Sequence, residues 1–174
     1  MPETATTRLV DGAFVISRRF AAPRDLVWRA WTEGERLQRW FGPTGCTMPH
    51  AEMDFRVGGR FHYGLRMADG TMVWGLWRFR EITPPERMVL VQTFSDETGD
   101  ARRNPWDANW PLQTLSTKTF EEVHGGTLVT IRWQPYEAAE AERRTFEAGF
   151  DSMTGGWGGT LDRFADYLAG SGGR

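Results

Sequence analysis

The side chains able to do chemistry are few and scattered. His50, Glu52 and Asp54 share one strand parity, a column of three polar groups that could ligate a metal or supply a general base. Met53, Phe55 and Val57 hold the opposite parity and read as the inward set, so the column is predicted to face solvent, with Asp54 bracing the turn at Gly58. His62 lies opposite Phe61 and Tyr63 in parity and is read the same way, while His124 sits in a turn; the three histidines are not predicted to form a metal set. Cys46 is the only cysteine, which excludes intramolecular disulfides and multi-cysteine zinc motifs and makes a cytoplasmic location the default expectation. It has no helix-start or paired-base context, and no Gly-x-Ser-x-Gly elbow occurs, so a buried or half-buried thiol is expected and no catalytic residue is assigned. Gly155 to Gly159 falls inside a helical pattern instead of following a strand, which argues against a phosphate loop; no cofactor is expected.

Two polar groups read as pointing inward. Arg18 shares parity with Phe14, Ile16 and Phe20, where an unpaired guanidinium is expensive, so it must meet a carboxylate, a backbone carbonyl or an anionic ligand. An internal ion pair is the preferred reading, and a polar anchor for a ligand the alternative. Tyr63 alternates with apolar neighbours and places a hydroxyl among rings. Gln92 and Thr117 are weaker choices because the parity of their strands is unclear. The polar segment from Asp96 to Pro111 carries Trp106 and Trp110, read as a lid over an opening, a loop pinned outside the sheet, or a homodimer contact.

These residues must be positioned by a single domain. The chain has 174 residues, a net charge of −2 and 40% hydrophobic content, long enough to bury roughly 70% of its unfolded surface without a staple. Lys118 is the only lysine among 21 basic residues, and the scattered arginines form no stripe, so nucleic acid is not an expected partner. No run approaches the ~18 apolar residues of a membrane span, so no membrane insertion is expected. Residues 1–11 read as a flexible leader, 12–170 as the domain and 171–174 as a disordered tail. A strand over 13–20 is followed by two short helices, the first after Pro23 and the second ending before Gly42 and Pro43. From Thr44 to Gln134 period-two alternation and regular turn residues predict about six antiparallel strands, the first strand making a seventh. Phe146, Phe150, Met153, Trp157, Leu161, Phe164 and Leu168 then predict one long terminal helix, interrupted by five glycines that let it lie close to a sheet or leave room beside it.

An antiparallel sheet of that size curls, and one helix covers only part of its concave face. With nine Trp and eleven Phe, either strand residues such as Tyr63, Trp77, Phe79 and Trp133 fill the remainder, or they line a hollow.

The run Arg18, Phe20, Ala22, Pro23, Val27, Trp28, Ala30 and Trp31, then Trp40 to Pro43, resembles the opening of the Aha1-like family, homologues of the activator of heat shock protein 90 ATPase. Asp54 to Phe61, Asp69 to Thr71, Gly75, Ile82 to Glu86, Gly125 to Leu128, and Gly156 with Trp157 ahead of Leu161 continue the resemblance in family order over residues 14–168. The family belongs to the START-like (SRPBCC) superfamily, so the resemblance implies an α+β helix-grip fold: a curved antiparallel sheet wrapped around a long C-terminal helix. Lipid carriers, hormone receptors and aromatic polyketide cyclases share that superfamily. Three functions are therefore weighed. The first is binding of a hydrophobic or aromatic small molecule against walls formed by Phe61, Tyr63, Trp77, Phe79, Trp133, Phe150, Met153 and Trp157. The second is a cyclase or dehydratase acting on an aromatic or polyketide-like substrate. The third is a stress-response role with a chaperone partner.

Overall fold

The computed structural model describes residues 4–171. Nine strands, β1 (Thr6–Val10), β2 (Ala13–Phe20), β3 (Thr47–Met53), β4 (Arg60–Arg66), β5 (Met72–Thr83), β6 (Arg87–Ser95), β7 (Ala101–Arg102), β8 (Thr114–Val123) and β9 (Gly126–Pro135), form one antiparallel sheet in the order β1-β2-β9-β8-β6-β5-β4-β3, with the two-residue β7 paired to β6. The helices are α1 (Arg24–Thr32), α2 (Gly34–Trp40), α3 (Glu140–Ala148) and α4 (Phe150–Ser171). This is the helix-grip arrangement, with α4 against the concave face.

Period two sets that face. Phe14, Ile16, Arg18 and Phe20 of β2, Phe61 and Tyr63 of β4, Trp77 and Phe79 of β5, Lys118 and Phe120 of β8 and Val129 and Ile131 of β9 are all buried. Their aromatic members pack edge to face against the helices: Phe20 meets Phe164 at 4.9 Å and Trp28 meets Phe120 at 5.4 Å between ring centres. Trp40 packs on Phe164 at 4.4 Å and donates its indole N–H to the Ala30 carbonyl at 3.1 Å, locking α1 to α2. Arg18 meets Asp162 of α4 at 2.6 Å; parity predicts an internal ion pair, but the Asp162 side chain is 72% exposed, so only the guanidinium end is buried.

Sequence expectations change at several points: nine strands form instead of seven, and Val57, read as part of the inward set, is 59% exposed. The leader contributes an edge strand, since Thr6 to Val10 pairs with Ser17 to Ala13; its polar alternation is too weak to read without that partner. Residues 1–3 and the tail beyond Ser171 lie outside the described residues. The single terminal helix is two, because Gly149 closes α3 by donating its N–H to the Phe146 carbonyl, while its own carbonyl accepts from Met153 to open α4. A β-carbon at Gly149 would lie 3.3 Å from the Trp110 ring, so the break is also a place of close approach. Finally, His62 faces outward as read but is only 3% exposed, since Trp74 stacks on it at 5.4 Å.

The glycines of α4 divide into two roles. At Gly159 a β-carbon would stand 3.1 Å from the Thr44 hydroxyl, so this glycine admits the loop after α2. Gly155, Gly156 and Gly158 have nothing within 4 Å of that position. Gly155→Ala should therefore stabilise the fold by about 0.5–1 kcal/mol, the helix-propensity difference, which denaturant unfolding would read as a higher midpoint at unchanged slope. A lower midpoint would show that the position is constrained.

Candidate functional site

The hollow in this fold lies at one end of the concave face. A cleft of about 430 Å³ opens between β4, β5 and β6 on one side, α4 on another and the loop between β7 and β8 above. Tyr63, Leu65, Phe94, Trp133, Met153 and Trp157 supply much of its wall, and Trp106 and Trp110 of the loop border it. Gln92, Asn104, Thr114, Ser152 and Thr160 place neutral polar groups around it. Tyr63 is the only titratable side chain on the wall among the described residues, and burial pushes its hydroxyl well above the usual phenol range, so it acts as a neutral hydrogen-bonding group. Its ring lies across Gly75 of the neighbouring strand, where a β-carbon would come within 2.4 Å of the phenol oxygen. Gly75 is thus what allows Tyr63 to lean over the sheet.

Of the eight residues proposed as walls, Tyr63, Trp133, Met153 and Trp157 border the cleft. Phe61, Trp77 and Phe79 lie deeper and are buried in the core, and Phe150 packs on Phe14 at 5.7 Å. The deep interior under Trp77 is closed by the protein itself. Lys118, fully buried, sends its Nζ to 5.1 Å from the ring centres of both Trp77 and Trp157 and 5.6 Å from Trp31, and donates a 2.8 Å hydrogen bond to Ser116 Oγ. Among the described residues no carboxylate is hydrogen-bonded to it. Burial pulls its pKa down from 10.5 to about 7. This residue is hidden in the sequence, because the inward parity of β8 is Thr114, Ser116, Lys118 and Phe120, a set too polar to announce itself. Its one signal was being the only lysine.

The loop is partly fixed. Trp110 packs on Trp133 at 5.7 Å and on Phe146 at 5.2 Å, and Arg103 joins the Trp110 carbonyl to Glu142 of α3. At the loop's base the Asp96 carboxylate accepts from the backbone N–H groups of Asp100 and Thr98, which hold its pKa down to about 2. Trp106, by contrast, is 64% exposed and touches Phe94 at 6.3 Å. One tryptophan is pinned and the other free at the rim. Arg18, tied to Asp162, lies away from the cleft wall, and Cys46 is buried beside Arg163 with its Sγ 3.1 Å from the guanidinium. Among the described residues no helix is long and apolar enough to cross a membrane.

Solved structures share this architecture. The chain is similar to protein Ms6760 from Mycobacterium smegmatis, at 25% identity and a TM-score of 0.74 over 95% of this chain and 96% of that one. It is also similar to an Arthrobacter aurescens protein, at 26% identity and a TM-score of 0.77 over 97% and 92%. A Rhodobacter sphaeroides protein at 20% identity has the same fold, with a TM-score of 0.77 over 97% and 99%. No curated protein sequence matches the chain. The family model described as activator of Hsp90 ATPase homolog 1-like protein matches residues 21–169, which run from the end of β2 to the last turns of α4 and include every cleft element; the chain belongs to that family.

Proposed function

We propose that the protein binds one small apolar or aromatic molecule in the cleft between the curved sheet and α4. The observation that carries this reading is the wall itself: rings and aliphatic side chains around about 430 Å³, with neutral polar groups spaced between them. Burial drives such binding. At roughly 25 cal/mol per Å², a ligand hiding ~300 Å² of apolar surface gains a gross ~7 kcal/mol before association costs. A cyclase or dehydratase needs at least two titratable groups facing one space. The wall offers Tyr63 alone among the described residues, which favours binding over acid–base catalysis.

Trp157 is the residue to test, because it is half-buried, borders the cleft and caps the Lys118 amine. With the aromatic probe 8-anilinonaphthalene-1-sulfonate, Trp157→Ala should weaken binding by about 30-fold, the equivalent of ~2 kcal/mol, while the melting temperature falls by only a few degrees. Unchanged probe affinity together with a collapsed melting temperature would make Trp157 a core residue and overturn the reading.

A further inference from the structure

Two histidines that look separate in sequence meet on the outer face of the sheet. β3 and β4 pair with Glu52 opposite His62 and His50 opposite Gly64, so His50, Glu52 and His62 leave the sheet on one side. One donor atom from each lies within 4.8 Å of the other two, and the imidazole rings of His50 and His62 are 5.0 Å apart. The sheet makes room for this by a glycine. Trp74 lies over Gly64, where a β-carbon would stand 2.8 Å from the indole, and from there it stacks on His62 and meets His50 edge-on at 5.3 Å.

Two features mark the cluster as more than a solvated patch. His50 Nε2 is shielded from solvent and has no hydrogen-bond partner, yet it stands 3.6 Å from the Glu52 carboxylate, too far for a hydrogen bond. Donors bound at about 2.1 Å to one tetrahedral ion stand about 3.4 Å apart, so that pair already has the spacing of two ligands of one metal. His62, in turn, is fixed from behind: its Nε2 lies 3.1 Å from the Asp96 carbonyl, which as an N–H donor leaves the ring's lone pair on Nδ1. A carbonyl behind the imidazole is the outer contact that orients metal-bound histidines.

We propose that His50, Glu52 and His62 form a divalent transition-metal site, with solvent completing the coordination. Two imidazoles and one carboxylate suit zinc, cobalt, nickel or copper in preference to magnesium or calcium. Solvent reaches the cluster at its carboxylate, because the Glu52 side chain is 66% exposed. The three ligands leave the sheet on the side opposite Tyr63, and none of them borders the cleft.

The test is calorimetric titration of the untagged full chain with zinc chloride, with cobalt(II) as an optical probe. One equivalent should bind, and cobalt should give visible d–d bands of a low-symmetry site. His50→Ala and Glu52→Gln, both at partly exposed positions, should each weaken zinc by about 10-fold or more with the melting temperature preserved, while His124→Ala leaves it unchanged. His62→Ala should abolish binding, and because His62 is buried its folding is checked by circular dichroism. Binding that is equal in wild type, His50→Ala and Glu52→Gln, or that depends on His124, would overturn the proposal.

Discussion

Replacing Lys118 by Met should make the protein more stable at neutral pH, and the gain should shrink as pH rises. In the unfolded chain the amine holds its proton up to about pH 10.5, while in the fold burial lowers its pKa to about 7. Between those values the unfolded state binds more protons, so stability rises with pH across that window, is complete above pH 10.5 and carries the full penalty below pH 7. The shift corresponds to a penalty on the order of 5 kcal/mol, offset in part by the three indole faces and by Ser116. A methionine of similar length fills the same space without that penalty. A gain of about 2–4 kcal/mol at pH 7 is expected, or roughly 5–12 °C in melting temperature. The difference between variant and wild type, measured by denaturant unfolding at several pH values, isolates Lys118 from every other titrating group. A less stable Met variant with an unchanged pH profile would mean that the three tryptophans fully compensate the charge.

Gly156→Phe should close the cleft without harming the fold. Gly156 lies on the cleft wall within α4, and a β-carbon there has nothing within 4 Å. Phenylalanine also favours a helix over glycine by about 0.5 kcal/mol, so the melting temperature should hold or rise slightly. Probe binding should fall by about 100-fold, because the new ring takes up the space a guest would fill. Retained affinity in a folded Gly156→Phe protein would place the guest elsewhere.

The parity of strands made much of the interior legible. Phe14, Ile16, Arg18 and Phe20 alternate inward in sequence and in space, and a buried guanidinium demanded the carboxylate it finds in Asp162. The glycines of α4 announced either close approach or open room, and both occur, at Gly159 and at Gly156. What could not be read depends on register between strands. Lys118 is buried because β8 sits between β6 and β9, facing Met88 and Ile131, and nothing local in Ser116, Lys118 and Phe120 says so. His62 is covered because β5 brings Trp74 across Gly64, a contact between residues ten apart. The depth of the hollow likewise depends on what fills it. Counting rings does not reveal that one lysine side chain occupies the space between Trp77 and Trp157, leaving the opening at the end under Trp106 and Trp110.

Indole N–H signals give the most direct view of that opening, since the nine tryptophans are spread over cleft, core and outer face. In a ¹⁵N-correlated spectrum of the protein titrated with 8-anilinonaphthalene-1-sulfonate, the signals of Trp106, Trp110, Trp133 and Trp157 should move together to a one-to-one endpoint. Those of Trp28 and Trp40, packed on Phe120 and on Phe164 away from the cleft, should stay in place. Saturation of the probe with the signals of Trp106, Trp110, Trp133 and Trp157 unmoved would contradict a binding site between the sheet and α4.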